Sequence, residues 1–377
     1  MKSLIILVLA VGVLLQGCQP LPAGSPAPNP APTVTTAPTG SSTASSDAPE
    51  KIPLPVGHGV DGGWYQLYFT DPSDPASGQH SGGPDETLVT AIDGAQLSVD
   101  AALYSLTLDS VRQALIRAHR RGVTVRVVME SDNADEYDPQ ALKDAGIPLI
   151  GDRREGLMHN KFVVIDQSEV WTGSMNMTDA GTYEDRNNLM RIPSQKLAAD
   201  YEAEFDEMFV DDHFGKDRGR ATPYPHVTVD DTPLDIYFSP DDHVQSRLVK
   251  LLSNARSSIY FLAYSFTADP LGEAIRERAK AGLKVSGVMD AEQMRTNVGT
   301  EYDAFRAAGL DVRLDGEAGL MHNKVLIIDN QTVVMGSYNF TASAEKTNDE
   351  NVIVIHNPEI AGYYMDEFRR IYAAAQP

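Results

Sequence analysis

Two short stretches of the 377-residue chain carry the same reactive set at the same spacing. His159, Lys161, Asp166, Gly173, Ser174 and Asn176 make up the first, and His322, Lys324, Asp329, Gly336, Ser337 and Asn339 the second. An imidazole titrating near neutrality serves as a nucleophile or a general acid, and a lysine is a point charge suited to phosphate. The hydroxyls of Ser174 and Ser337 and the amides of Asn176 and Asn339 can hydrogen-bond non-bridging phosphoryl oxygens. A His and a Lys two apart at the start of a strand project to one face. Doubled about an approximate twofold axis, the set puts two histidines and two lysines around one phosphate. The lysines and amides supply the positive field, so the chemistry calls for no metal and no other cofactor. A single His-x-Lys reads most simply as a strand-capping histidine beside a solvated lysine; two complete copies at matched places do not. Asp166 and Asp329 end apolar runs just before turns and are expected to hold the strand pair or the loop.

The repeat extends beyond the motif. Gly156–Asn188 aligns with Gly319–Asn351 without a gap at an offset of 163 residues, and Tyr104-Ser105-Leu106-Thr107 matches Tyr264-Ser265-Phe266-Thr267. A period this long marks a duplicated domain rather than a solenoid. Apolar, β-branched runs predict strands over 97–103, 123–129, 162–165 and 170–172, and over 259–263, 283–289, 325–328 and 332–335 in the second copy. Amphipathic stretches predict helices over 109–121 and 269–281, with Asp109 and Asp269 as N-caps, and closing helices over 196–209 and 359–373. Strands apolar throughout imply sheets covered on both faces. The expected fold class is therefore α/β. It consists of two tandem sandwich domains, 54–222 and 223–377, sharing a site on a pseudo-twofold axis. Such a chain is a monomer with an internal pseudo-dimer.

The doubled motif resembles that of the phospholipase D superfamily, and the resemblance runs from about Trp64 to the C-terminus. It implies two α/β units around a shared site that cleaves or transfers phosphodiesters. One of His159 and His322 would attack phosphorus to give a phosphohistidine, and the other would protonate the leaving alkoxide and then activate water. The resemblance assigns the attack to His159 and the phosphoryl oxygens to Lys161, Lys324, Asn176 and Asn339. Relatives also carry an acid about 28 residues after the motif histidine, which orients the ring; Glu350 stands there in the second copy and Asn187 in the first. Asp185 or Glu184 are candidate substitutes. An uncharged partner stabilises an imidazolium less, so the two histidines should differ in pKa.

The N-terminus reads as an address. Lys2 precedes an apolar run over 3–15 that is too short to span a bilayer, and Leu15-Gln16-Gly17-Cys18 follows. Residues 1–18 resemble a bacterial lipoprotein signal lipidated at Cys18, and 19–53, rich in Pro, Ala, Ser and Thr, reads as a disordered linker. The expected location is the bacterial cell envelope, anchored without spanning the membrane. Cys18 is the only cysteine, which excludes an intramolecular disulfide and a Cys-based zinc site. The net charge of -22 divides into zero for residues 1–60, -14 for 61–222 and -8 for 223–377. A body this acidic repels an extended polyanion.

Hydrolysis of phospholipid headgroups to phosphatidic acid at a membrane surface is the expected function, with an exported metal-independent endonuclease acting on nucleic acid as the alternative. The intact histidines argue against a non-catalytic phosphate binder, and the lack of spanning helices against a transferase that makes cardiolipin. Arg153-Arg154, where the second copy has Gly316-Glu317, would make one rim of the site basic; Arg117, Arg120 and Arg121 read as surface. Met175 and Tyr338, inside Gly-Ser-x-Asn, are expected to line the pocket, while Trp171, Met177 and Phe340 read as core. The polar loop Asp71–Gly83 is a candidate lid, with His80 in it solvated.

Overall fold

The computed structural model describes residues 48–216, 219–316 and 319–376. The expected signal at 1–18, its Cys18 and the linker up to residue 47 lie outside them.

Strands β1 (Glu50–Ile52), β2 (His58–Asp61), β3 (Gln66–Phe69), β4 (Ser98–Leu103), β5 (Thr124–Met129), β6 (Leu149–Gly151), β7 (Lys161–Ile165), β8 (Glu169–Gly173) and β9 (Asn188–Pro193) form one sheet, in the order β1-β2-β3-β9-β8-β7-β4-β5-β6. The second sheet holds β10 (His226–Val229), β11 (Thr232–Ser239), β12 (Ser258–Ala263), β13 (Lys284–Met289), β14 (Asp311–Leu314), β15 (Lys324–Ile328), β16 (Thr332–Gly336) and β17 (Glu350–His356), in the order β10-β11-β17-β16-β15-β12-β13-β14. The order is the same strand for strand from β2 and β10 onward, so the duplication read from the motif is a duplication of the whole fold. β1 is the exception. Its residues, assigned by composition to the linker, pair antiparallel with β2 through Glu50 opposite Asp61.

Helices α1 (Asp85–Gly94), α2 (Asp109–Arg120) and α3 (Tyr137–Asp144) belong to the first half and α4 (Gln195–Phe209) closes it; α5 (Val244–Ser253), α6 (Asp269–Lys280), α7 (Ala291–Thr296), α8 (Tyr302–Ala307) and α9 (Ala342–Lys346) precede the closing α10 (Pro358–Ala374). The strands divide their side chains by the period of two. On β7, Phe162 and Val164 enter a core that also contains Val325 and Ile327 of β15, Tyr201 of α4 and Tyr364 of α10. Val163 and Ile165 face away, into a core with Val111 and Leu115 of α2. Leu326 and Ile328 do likewise, with Leu271 and Ile275 of α6. The two sheets thus share one apolar interior with both closing helices in it, and each half lacks a complete core without the other.

The helix starts differ from expectation at α2 and α6. Leu108 and Ala268 occupy the N-cap positions, and Asp109 and Asp269 are the first helical residues, where a carboxylate complements the positive end of the helix. Ser194 and Asn357 cap α4 and α10 with their side-chain oxygens. Asp166 and Asp329 follow β7 and β15 at the ends remote from Lys161 and Lys324, each with positive φ, near +52° and +57°. Asp166 accepts from the amides of Gln96, Leu97 and Ser98, and Asp329 from those of Arg256, Ser257 and Ser258. Each clamps the turn leading into the adjacent strand, away from the histidines. The 71–83 loop is anchored through Asp71, which accepts from Arg370 at 2.9 Å, and through His80, whose ring stacks on Tyr183 at 5.4 Å.

Candidate active site

Both histidines stand two residues before a central strand, and their backbones are held by the opposite half. The His159 amide donates to the Asp349 carbonyl at 3.0 Å, and the His322 amide to that of Arg186 at 3.0 Å. The residue before each is held by its own half: buried Glu130 and Asp290, just past β5 and β13, accept from the amides of Met158 (2.9 Å) and Met321 (3.0 Å). The active-site turns are therefore also the seam between the halves.

The rings follow the same crossing. His159 Nδ1 lies 2.7 Å from Oε2 of Glu350, and His322 Nδ1 lies 2.9 Å from Oδ1 of Asn187 and 3.1 Å from the Ser174 carbonyl. The acid found 28 residues after His322 thus orients the histidine of the other copy. Asn187 is fixed as an acceptor, because its Nδ2 donates to the Gly181 carbonyl at 2.8 Å and Ser174 Oγ donates to its Oδ1 at 2.8 Å. With acceptors facing both Nδ1 atoms, the network assigns the proton there and leaves Nε2 as the unshared ring nitrogen. Neither proposed substitute for the missing acid takes that place. Asp185 accepts from the Leu320 amide at 2.9 Å, and the Glu184 carboxylate lies 3.6 Å from His80.

Lys161 and Lys324 curl back to donate to the carbonyls of His159 (2.8 Å) and His322 (2.7 Å). Each ammonium lies over a tyrosine ring, Tyr104 at 4.9 Å and Tyr264 at 4.7 Å, and those rings meet the histidines edge-on at 4.9 and 4.5 Å. Sequence reasoning aligned these tyrosines but gave them no role; an identical residue at matched positions of both copies was the available signal. It also passed over four buried asparagines. Asn188 donates to Asn323 at 2.7 Å and Asn351 to Asn160 at 2.9 Å, two side-chain ties across the seam.

Burial and the two lysine charges push both histidines well below the usual imidazole range. Burial lowers Lys161 to about 7, and burial with the neighbouring Lys161 charge drives Lys324 well down. Burial raises Glu350 to about 8, against the pull of Lys161. All these groups are pressed toward neutrality, a state that an incoming anion reverses for the lysines and histidines.

Three expectations change. Ser174 and Ser337 are fully buried and serve the framework: Ser174 Oγ binds Asn187 and accepts from the Asn188 amide, and Ser337 Oγ binds Glu350 and accepts from the Asn351 amide. Met175 and Tyr338 are core side chains, each 1% exposed, because alternate residues after β8 and β16 point into the outer cores. The arginine pair does not make a free basic rim: Arg154 binds Asp349 at 2.5 Å and the Thr347 carbonyl at 2.6 Å, while Arg153 pairs with Asp212. Asn176 and Asn339 are the motif residues whose side-chain oxygens are buried without a partner, in both copies alike.

A family profile described as "Cardiolipin synthase, PLD-like domain" matches residues 88–209 and 248–372. The mouse mitochondrial cardiolipin hydrolase is 34% identical over 132 residues, 35% of this chain and 59% of that protein. A Rickettsia bellii phospholipase D is 34% identical over 131 residues, 35% of this chain and 65% of its own length. The matched region is thus less than two thirds of either relative. Among solved structures, a Haemophilus influenzae phosphatidylserine synthase superposes over 82% of this chain and 87% of its own with a TM-score of 0.60 at 14% identity, a likeness of fold. Nuc of Salmonella typhimurium, a phospholipase D family member, covers 38% of this chain and 97% of its own at 30% identity, with a TM-score of 0.36. One profile, matched once in each half of a molecule whose two histidines depend on each other's half, makes the assignment plain: the chain belongs to the phospholipase D-like domain family.

Proposed function

We propose that the chain is a phosphodiester hydrolase of the phospholipase D type, cleaving phospholipid headgroups to phosphatidic acid through a phosphohistidine on His159. The carrying observation is the crossed, unequal pairing of the histidines: Glu350 behind His159 and Asn187 behind His322. A buried carboxylate stabilises positive charge on the ring it faces, so His159 is suited to carry a phosphoryl group on Nε2. In the first step Nε2 of His159 bonds to phosphorus, the bond to the leaving alkoxide breaks, and His322 delivers a proton from its Nε2 to that oxygen. In the second, His322 takes a proton from water, the water oxygen bonds to phosphorus, and the phosphorus–nitrogen bond breaks. The negative substrate raises the depressed pKa of His322 and supplies the protonated form the first step requires. Lys161, Lys324 and the amides of Asn176 and Asn339 hold the phosphoryl oxygens.

The relatives named for cardiolipin hydrolysis and phospholipase D activity support a lipid substrate. So do the charge of -22 and the pairing of Arg153 and Arg154 with carboxylates, which together leave a poor track for a nucleic-acid backbone. We further propose that Cys18 anchors the protein to the bacterial envelope; globomycin should then accumulate an unprocessed precursor. The full chain, assayed with EDTA present on phosphatidylcholine, cardiolipin, single-stranded DNA and RNA, should release phosphatidic acid. DNA cleavage with no phosphatidic acid would overturn the lipid assignment and favour the endonuclease.

A further inference from the structure

The connection between β13 and α8, Asp290–Glu301, is five residues longer than its counterpart Glu130–Glu136 between β5 and α3. The extra length forms α7 and a turn with Val298 at its crest. Val298 is 96% exposed, the most exposed of the large apolar side chains among the described residues. Gly299, at φ +77°, turns the chain directly after it. Thr296–Thr300 carries no charge in a chain where 22% of residues are charged.

A lone exposed valine is ordinary. This one is set apart by its tethers. Gln293 Nε2 donates to the Tyr264 hydroxyl at 3.0 Å, Asn297 Nδ2 to Ser265 Oγ at 2.8 Å, and the Glu301 amide to the Phe266 carbonyl at 2.9 Å. Tyr264 is the ring lying 4.5 Å from His322, so the crest is pinned one residue away from the reacting pair. The first half echoes the arrangement: Asn133 donates to the Tyr104 carbonyl at 2.7 Å, and Tyr137, at the end of that loop, is 75% exposed. The two loops differ in charge. The first exposes Asp132, Asp135 and Glu136, whereas the second exposes Glu292 and Arg295, which balance. Only the second can meet a lipid surface without bringing net negative charge to it.

We propose that Asp290–Glu301 is an interfacial anchor: Val298 enters the boundary between headgroups and acyl chains of a bilayer, and Arg295 meets lipid phosphate beside it. The anchor holds the site against the surface from which the scissile phosphodiester is drawn, and it rests on the phospholipid reading above. A shallow apolar contact of this kind adds to membrane affinity in proportion to the area it buries.

The test uses full-length protein with phosphatidylcholine vesicles containing cardiolipin, and bis(4-nitrophenyl) phosphate as a water-soluble phosphodiester. Val298→Asp should reduce turnover of vesicle lipid on the order of tenfold more than turnover of the soluble diester. An equal loss on both substrates, or a loss on neither, overturns the anchor. Val298→Trp, read as the difference spectrum from the parent with its two tryptophans, should show a blue shift when vesicles are added; an unshifted emission also overturns it. Wild-type protein that cleaves the soluble diester and DNA but leaves vesicle lipid intact refutes the substrate reading instead, while the tryptophan shift still decides whether the loop enters the bilayer.

Discussion

Glu350→Gln isolates the charge behind His159. The carboxylate is fully buried, accepts from Nδ1 at 2.7 Å, and receives Asn348 Nδ2 at 3.2 Å on its other oxygen. Glutamine keeps the volume and an acceptor oxygen, so the ring keeps its orientation and its proton on Nδ1. The charge that stabilises a phosphorylated, positive imidazole is what disappears. Exchanging a charge-assisted hydrogen bond for a neutral one costs about 1–2 kcal/mol, and the Coulomb term at a few ångströms adds up to about 4 kcal/mol at an effective dielectric of ~20. Because part of that charge is already masked by protonation, the lower end governs, and kcat should fall about 10- to 100-fold. The assay is the burst phase with bis(4-nitrophenyl) phosphate, with the acid-labile phosphoenzyme mapped by peptide digestion. Burst rate and kcat should fall together while the label stays on His159. A variant within threefold of wild type, or an Asn187→Ala variant slowed more than Glu350→Gln, would refute the view that the unequal partners divide the roles.

Three more outcomes follow from the same geometry. Binding of inorganic phosphate at pH 8 should take up protons, because burial holds Lys161 near 7 and pushes Lys324 well down from its ordinary value, and the anion raises both; calorimetry in two buffers of different ionisation enthalpy measures this, and proton release would contradict it. Asn351→Leu strips partners from Asn160 and from the hydroxyls of Thr172 and Tyr201. It should therefore lower the free energy of urea unfolding by at least about 3 kcal/mol, and a loss below about 1 kcal/mol would show that the seam does not depend on these ties. Burial and the neighbouring Asp100 raise Glu202 to about 8 from an ordinary 4.5, so the native state retains a proton that the unfolded chain releases, and stability falls as pH rises through that window. Glu202→Gln should accordingly raise Tm relative to wild type by roughly 2–4 °C more at pH 8 than at pH 5, and parallel Tm curves would exclude it.

The fold and the motif were legible because both are written in local patterns repeated at a fixed offset. Apolar runs located β4, β5, β7 and β8 and their counterparts to within a residue or two. The crossed pairing was not legible, since spacing along the chain says nothing about which copy's strand ends beside which histidine. Glu350 follows His322 in sequence and serves His159 in space. Ser174 and Met175 show a second limit: their residue types suit a pocket, but what they face depends on the alternation of β8 within a covered sheet. The arginine pair shows a third. Arg154 reads as free charge until Asp349, 195 positions away, is brought to it by the other half.

The seam also has a genetic consequence. Were the two halves separate copies of one gene product, symmetry would force the same residue behind both histidines, and a change helping one step would be imposed on the other. Joining the copies in one chain frees position 187 from position 350, so that Asn and Glu can stand where a homodimer would require identity. Each half now keeps the residue its neighbour's histidine needs. Duplicating either half in place of the other would break that complementarity even where every motif residue was preserved.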